Sequence, residues 1–299
     1  WSPIGDITTI MLWVNNNVST GALISYVLLP SLVALLIPLL FISSKLRGQL
    51  PALATKGQND KAGIISAKER STLFYLGVGG LIFVPIFKTL THLPPFVGML
   101  FVLGIIWIYT ELMYNKKSLT GNEPQNRLSR ILQRIDMPTI LFFLGILMAV
   151  AVLQASGILG SMADWLDEKV HNIYIINVLL GCISSIIDNV PLVAAAMGMY
   201  EIVPFDQVPD LLAAGEIYRL SFVQDGSFWL LLSYCAGVGG SMLIIGSAAG
   251  VVVMGLEKMN FGWYMKHISW LALVGYLAGA AVLIAEVILF PPIHTFHGF

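Results

Sequence analysis

Charge is what this sequence has least of. Only 11% of its 299 residues are charged, against 57% hydrophobic, where soluble domains carry about 25% charged residues. Too few charges are present to cover a water-facing surface, and the mean hydropathy is +0.82. The shortage runs the whole length, which excludes a leftover soluble domain. With a net charge of −1 there is no basic excess to bind nucleic acid. Cysteine is nearly absent too. Cys182 and Cys235 both sit in apolar runs, so neither a disulfide framework nor a metal cluster is implied, and no cofactor is expected. Histidine is missing from mid-span positions: His92, His171, His267, His294 and His297 fall in loops or near ends. That argues against a histidine proton relay. It also leaves Ser247, as the nucleophile of an intramembrane enzyme, without a general base.

What is plentiful is apolar sequence in runs of about 20 residues, long enough to cross a hydrocarbon core of roughly 30 Å. Spans are expected at 23–43, 72–90, 96–114, 139–159 and 267–289. A shorter apolar stretch, 6–18, ends in Asn15-Asn16-Asn17. Two others are interrupted. The run 173–200 is cut at Asp188-Asn189-Val190-Pro191, where proline and two polar residues are costly inside a membrane helix; it reads as a re-entrant hairpin with a polar tip. The run 227–256 is broken between Gly237 and Gly250, where glycine and serine dominate. The expected class is an all-α, multi-pass integral membrane protein whose first partner is the lipid bilayer. Trp107, Trp165, Trp229, Trp263 and Trp270 read mostly as interfacial anchors. Glu111 and Glu286 read as side chains snorkelling to a boundary.

Lysine and arginine set the orientation. Lys45, Arg47, Lys56, Lys61, Lys68 and Arg70 in one loop, with Lys116, Lys117, Arg127, Arg130 and Arg134 in another, make eleven of the sixteen basic residues. Both loops are therefore expected in the cytoplasm and the His92 connector outside. The acidic loop 161–172 falls outside, and the acidic loop 201–225 does too provided 173–200 dips in and returns. The expected organisation is 1–43 as the end of one repeat, 44–136 as basic loops around a two-span hairpin, and 137–299 as a second repeat.

Ser2-Pro3-Ile4-Gly5-Asp6-Ile7-Thr8-Thr9 and Leu243-Ile244-Ile245-Gly246-Ser247-Ala248-Ala249-Gly250 each hold an Ile-Gly pair, then a small polar residue, then an apolar run. On the expected topology they cross in opposite senses. Inverted repeats with broken helices at matching positions point to a midplane site in secondary transporters. The backbone groups freed by a break are tolerated at that depth only where they line a cavity or meet an ion.

These strings, together with Ser184-Ser185-Ile186-Ile187-Asp188-Asn189-Val190-Pro191 and the Gly239-Gly240-Ser241 lead-in to the second break, resemble the NhaD-type sodium/proton antiporters of the ion transporter superfamily. The likeness covers essentially the whole chain. It implies inverted repeats with discontinuous helices and re-entrant hairpins, an elevator-like movement, exchange of Na+ or Li+ for H+, and a homodimer. A bacterial inner membrane is the expected location. The opening at Trp1 reads as the middle of a motif, so the chain is expected to be a C-terminal fragment without the first hairpin.

Asp188 is the first candidate for the transport site. A mid-membrane carboxylate is costly unless it binds a cation or a proton, and competition between those two couples their fluxes. Asn189 offers a carbonyl oxygen to a hard cation. Ser184 lies one helical turn before Asp188, on the same face of a continuous helix. Asp6 repeats the carboxylate at the first break, with hydroxyls from Thr8 and Thr9; Ser241 and Ser247 supply hydroxyls at the second. Na+ is expected at Asp188, Asn189 and Asp6. Gly5, Gly239, Gly240, Gly246 and Gly250 are expected to permit unwinding and close approach. The competing function is an anion carrier for arsenite, citrate or a dicarboxylate. Such a site would want more neutral Ser, Asn or Thr tips, or a cationic residue; no Lys or Arg lies in the broken segments, while two acidic residues do.

Overall fold

A computed structural model describes residues 1–45, 66–118, 133 and 137–292. The basic residues Arg47, Lys56, Lys61, Arg127, Arg130 and Arg134, and also His294 and His297, lie outside the described residues. Those described form an all-α, polytopic membrane protein. Four of their helices are long and apolar enough to cross a bilayer, or five if a bent pair counts as one span. The chain divides into one unit of residues 1–46 and 140–299 and another of 47–139.

The smaller unit is a helical hairpin, Ala67–Thr91 and Pro95–Ser118. Ser66 starts it with a capping box, its amide donating to the Glu69 carboxylate at 2.7 Å. His92 ends the first helix in the left-handed region, φ +56°. The two helices approach closely where Gly80 meets Val102 and Gly98 meets the Phe87 ring.

We label the helices of the larger unit α1 Ile7–Val14, α2 Thr20–Lys45, α3 Ile140–Ala155, α4 Ile158–Lys169, α5 Ile173–Ser184, α6 Asn189–Met199, α7 Val208–Ala214, α8 Ile217–Leu220, α9 Ser227–Gly239, α10 Ala248–Leu256, α11 Phe261–His267 and α12 Ser269–Leu289. At the centre stands α9. Phe228, Trp229, Leu230, Leu231, Leu232, Cys235 and Ala236 are all 0% exposed, as expected of a helix that is apolar all round. Trp229 is thus no interfacial anchor: it is core, its indole N–H donating to the Phe222 carbonyl at 3.0 Å. Tyrosines tie α9 to its neighbours. Tyr234 donates to the Tyr276 carbonyl and Tyr276 to the Val178 carbonyl, each at 2.9 Å. On the far side α2 lies along α12.

Most of the stretch expected as a loop, residues 161–169 of 161–172, is helical. α4 continues from α3 through a 70° bend at Gly157, whose φ is +77° and suits glycine. Its Ile158, Leu159, Met162, Ala163 and Leu166 recur at helical spacing; the loop reading had followed the charges Asp164, Asp167 and Glu168 alone. Glu286 does not reach a boundary freely either. It is half-buried, with Oε2 shut from solvent and unpaired among the described residues.

Candidate functional site

Two helix beginnings meet in the larger unit. At the first, Asp6 stands at the N-cap of α1 with extended backbone. The Thr9 hydroxyl takes the Asp6 amide at 3.3 Å and bonds the Asp6 carbonyl at 2.9 Å, so Thr9 serves the cap. Thr8 is 0% exposed, and its hydroxyl donates to Asp6 Oδ2 at 2.7 Å.

The second beginning is that of α6. Asp188 is its N-cap, half-buried, with Oδ1 accepting from the Val190 amide at 3.3 Å. Pro191 falls in the first turn, where a missing amide proton costs nothing. The Asp-Asn-Val-Pro string is therefore a helix start after a four-residue gap, which is why an apolar run breaks there. Asn189 is 5% exposed, and its Nδ2 donates to Asp6 Oδ2 at 3.0 Å, joining residues 183 positions apart. Each carboxylate thus stands at the positive end of a helix dipole, and two neutral donors, Thr8 and Asn189, are gathered at Asp6 Oδ2.

The second break packs against the end of α5. A Cβ at Gly239 would strike the Gly181 carbonyl. One at Gly246 would strike the Ser184 carbonyl and lie 2.7 Å from that of Ser185. Gly240 is similarly confined, 2.8 Å from the Gly246 carbonyl, and Gly250 sits against the carbonyl of Ile244. Gly5 makes the turn before α1, its amide donating to the Ser2 carbonyl at 3.0 Å. Ile244 is buried with φ +36°, an unusual conformation for a β-branched residue and a local strain of the kind that gathers at functional sites.

The serines divide differently from expectation. α5 ends at Ser184, so Ser184 and Asp188 do not share a helical face; the Ser184 hydroxyl instead donates to the Ala236 carbonyl of α9 at 2.9 Å. Ser241 is exposed, and its hydroxyl bonds back to Val238 at 2.6 Å. Ser247 caps α10, accepting from the Gly250 amide at 3.1 Å. The residues whose side chains meet at Asp6 are Thr8 and Asn189, with Asp188 adjoining in sequence.

Two residues escaped the sequence reading. Gly237 of α9 faces this group: a Cβ there would lie 3.8 Å from Thr8 Oγ1 and 3.9 Å from Asp6 Oδ2. Its signal was present in Ala-Gly-Val-Gly-Gly, a glycine inside an otherwise regular helix. Asp225, expected in a solvated acidic loop, is only 6% exposed with φ +60°. Its carboxylate accepts from the Ser19 amide at the start of α2, and its own amide donates to the Asn17 carbonyl at 2.9 Å.

Comparison with known proteins adds sequence relationships to this geometry. Residues 1–215 match the family described as citrate transporter, CitMHS. Sodium/proton antiporter 1 of Arabidopsis thaliana is 43% identical over 290 residues, covering 95% of this chain and 46% of that protein. Sodium/proton antiporter 2 of the same plant is 42% identical over 293 residues, 95% of this chain and 63% of the relative. Na(+)/H(+) antiporter NhaD of Alkalimonas amylolytica is 32% identical over 304 residues, 94% and 57% respectively. The chain therefore spans about half to two thirds of the length of these relatives. No solved structure matches it.

Proposed function

The chain belongs to the citrate transporter family, and from that premise we propose that it is part of a secondary transporter exchanging Na+ or Li+ for H+. The observation that carries this reading is the Asn189 to Asp6 bond, which brings the Asp6 carboxylate of one helix beginning and the Asn189 amide of the other into one polar group. Cation and proton compete there. Thr8 and Asn189 donate to Asp6 Oδ2 in the structure. A cation would turn the same side chains around, so that the Thr8 hydroxyl oxygen and the Asn189 carbonyl face the metal while their protons point away. Proton uptake by a carboxylate removes the charge that holds the cation, and the two fluxes are thereby coupled. The run 173–200 acts as a re-entrant hairpin presenting Asp188 and Asn189, and residues 1–43 and 137–299 act as portions of two inverted repeats.

A citrate or dicarboxylate carrier is the second reading, favoured by the family's description. The site argues against it. Asp6 and Asp188 are acidic, and the broken segments carry no lysine or arginine to receive an anion. Named antiporters among the relatives point the same way.

The test is dequenching of a pH dye in everted vesicles carrying the complete gene product, with Na+, Li+, K+ and citrate added in turn. Na+ and Li+ are expected to dequench and citrate is not. Asp6→Asn and Asp188→Asn should each abolish the response with membrane insertion intact; a full sodium response in both variants would remove the carboxylates from the mechanism.

A further inference from the structure

Glycines gather at the second break for reasons that differ residue by residue. At Gly239 and Gly246 a side chain would run into the carbonyls of α5, so packing alone demands glycine. Gly237 is different. An added Cβ would meet nothing closer than 3.8 Å, and the two atoms it would approach are Thr8 Oγ1 and Asp6 Oδ2. Its backbone is not left-handed, and it lies within α9, where alanine would serve the helix better. Neither sterics nor conformation accounts for the missing side chain. What glycine does there is keep a methyl group, on a partly exposed face of α9, from lying in van der Waals contact with the two hydrogen-bonded oxygens at Asp6.

We propose that Gly237 sets the size of the cation admitted at Asp6, the inference resting on the exchange reading above. A methyl group there takes room from the larger ion before the smaller. Because Na+ is larger than Li+, Gly237→Ala narrows the site toward Li+. One methyl in a close-fitting pocket changes discrimination about tenfold or more. The carboxylate, the threonine hydroxyl and the asparagine amide all remain, so the maximal rate is retained while half-saturation for Na+ rises.

The experiment uses the complete gene product reconstituted in proteoliposomes, with Na+- and Li+-driven proton movement read against ion concentration at fixed pH. In Gly237→Ala the half-saturating Na+ is expected to rise about tenfold relative to Li+, with similar maximal rates. An unchanged Na+ to Li+ ratio would overturn the inference and leave the exchange reading standing. So would an equal loss of both responses, since a blocked or misfolded site does not discriminate by size. Absence of any Na+ or Li+ response in the unsubstituted protein would overturn the exchange reading, and this inference with it.

Discussion

At the scale of single residues, burial separates carboxylates that look alike in sequence. Asp225 was one of several acidic residues in a polar stretch, and nothing in its neighbours marks it as interior. Its burial follows from the packing of α2 against α9, a long-range contact that residue types alone do not encode. Burial pushes its carboxyl above the ordinary value of 3.8, and the Ser19 amide pulls the other way. A group raised in the folded state contributes stability that is fully present below its unfolded value and is lost as pH rises through the folded one. Melting temperatures across a pH series should therefore decline more, from acid toward neutral, in the unsubstituted protein than in Asp225→Asn, which keeps the acceptor for Ser19 without the charge. A steeper decline in the variant would contradict the assignment. Asn189 makes the complementary case. Asn189→Leu keeps the branched shape, at a larger volume, but removes the donor to Asp6, leaving a partly buried carboxylate short of one bond. We expect Na+-driven proton movement to fall by at least about tenfold, the cost of ~1.4 kcal/mol, while surface delivery is unchanged. Flow rates equal to those of the unsubstituted protein would show that the bond is incidental.

At the scale of elements, hydropathy and breaker residues located the long apolar helices, because an apolar run and its interruption are local properties; α4, α7 and α8, which lie in stretches expected as loops, and α11 were not located. The last span, expected at 267–289, is Ser269–Leu289, and the run 227–256 splits into Ser227–Gly239 and Ala248–Leu256. Asp6, Thr8 and Asn189 are legible as candidates for the same reason: polar groups in apolar surroundings stand out. Partners were less legible. Ser184 looked like a ligand by spacing along a helix that in fact ends at Ser184, and only the fold shows its hydroxyl committed to Ala236. α4 was missed because its charged face hid its apolar one. That charged face has a structural use: Asp167 accepts from both Tyr200, at 3.1 Å, and Tyr218. Burial first, and Asp167 second, push both phenols well above their usual range. Tyr218→Phe leaves Asp167 with one donor and should lower stability by about 1–3 kcal/mol, seen as a lower melting temperature of the purified protein. Gly246→Ala should cost as much or more, about 1–3 kcal/mol from overpacking against the Ser184 and Ser185 carbonyls. Gly237→Ala, which meets no atom closer than 3.8 Å, should not. Equal melting temperatures for the two alanine variants would remove the distinction drawn between these glycines.

At the scale of the whole molecule, what decides the transport mechanism is whether 173–200 returns to the side it came from. α5 and α6 hold 12 and 11 residues, about 18 and 17 Å at ~1.5 Å per residue. Each is too short for a core of roughly 30 Å, but end to end they would suffice. Helix lengths are thus compatible with a hairpin and with one kinked span. Charge distinguishes the two. Eleven of sixteen basic residues lie in the two loops read as cytoplasmic. Counting spans from there puts Glu201 outside if the stretch returns and inside if it crosses. Only the returning path keeps Lys258 and Lys266 on the basic side with the remaining helices as they stand. Single cysteines at His92, Ser66, Glu201 and Lys258, in a background with Cys182 and Cys235 changed to alanine, turn this into a measurement. A membrane-impermeant maleimide added to intact cells should label His92→Cys and Glu201→Cys, and should reach Ser66→Cys and Lys258→Cys only after permeabilisation. Labelling of Glu201→Cys from the Ser66 side would make 173–200 a through-going span. Asp188 and Asn189 would then belong to a crossing helix rather than a movable tip, and the two broken segments would no longer be related as inverted repeats.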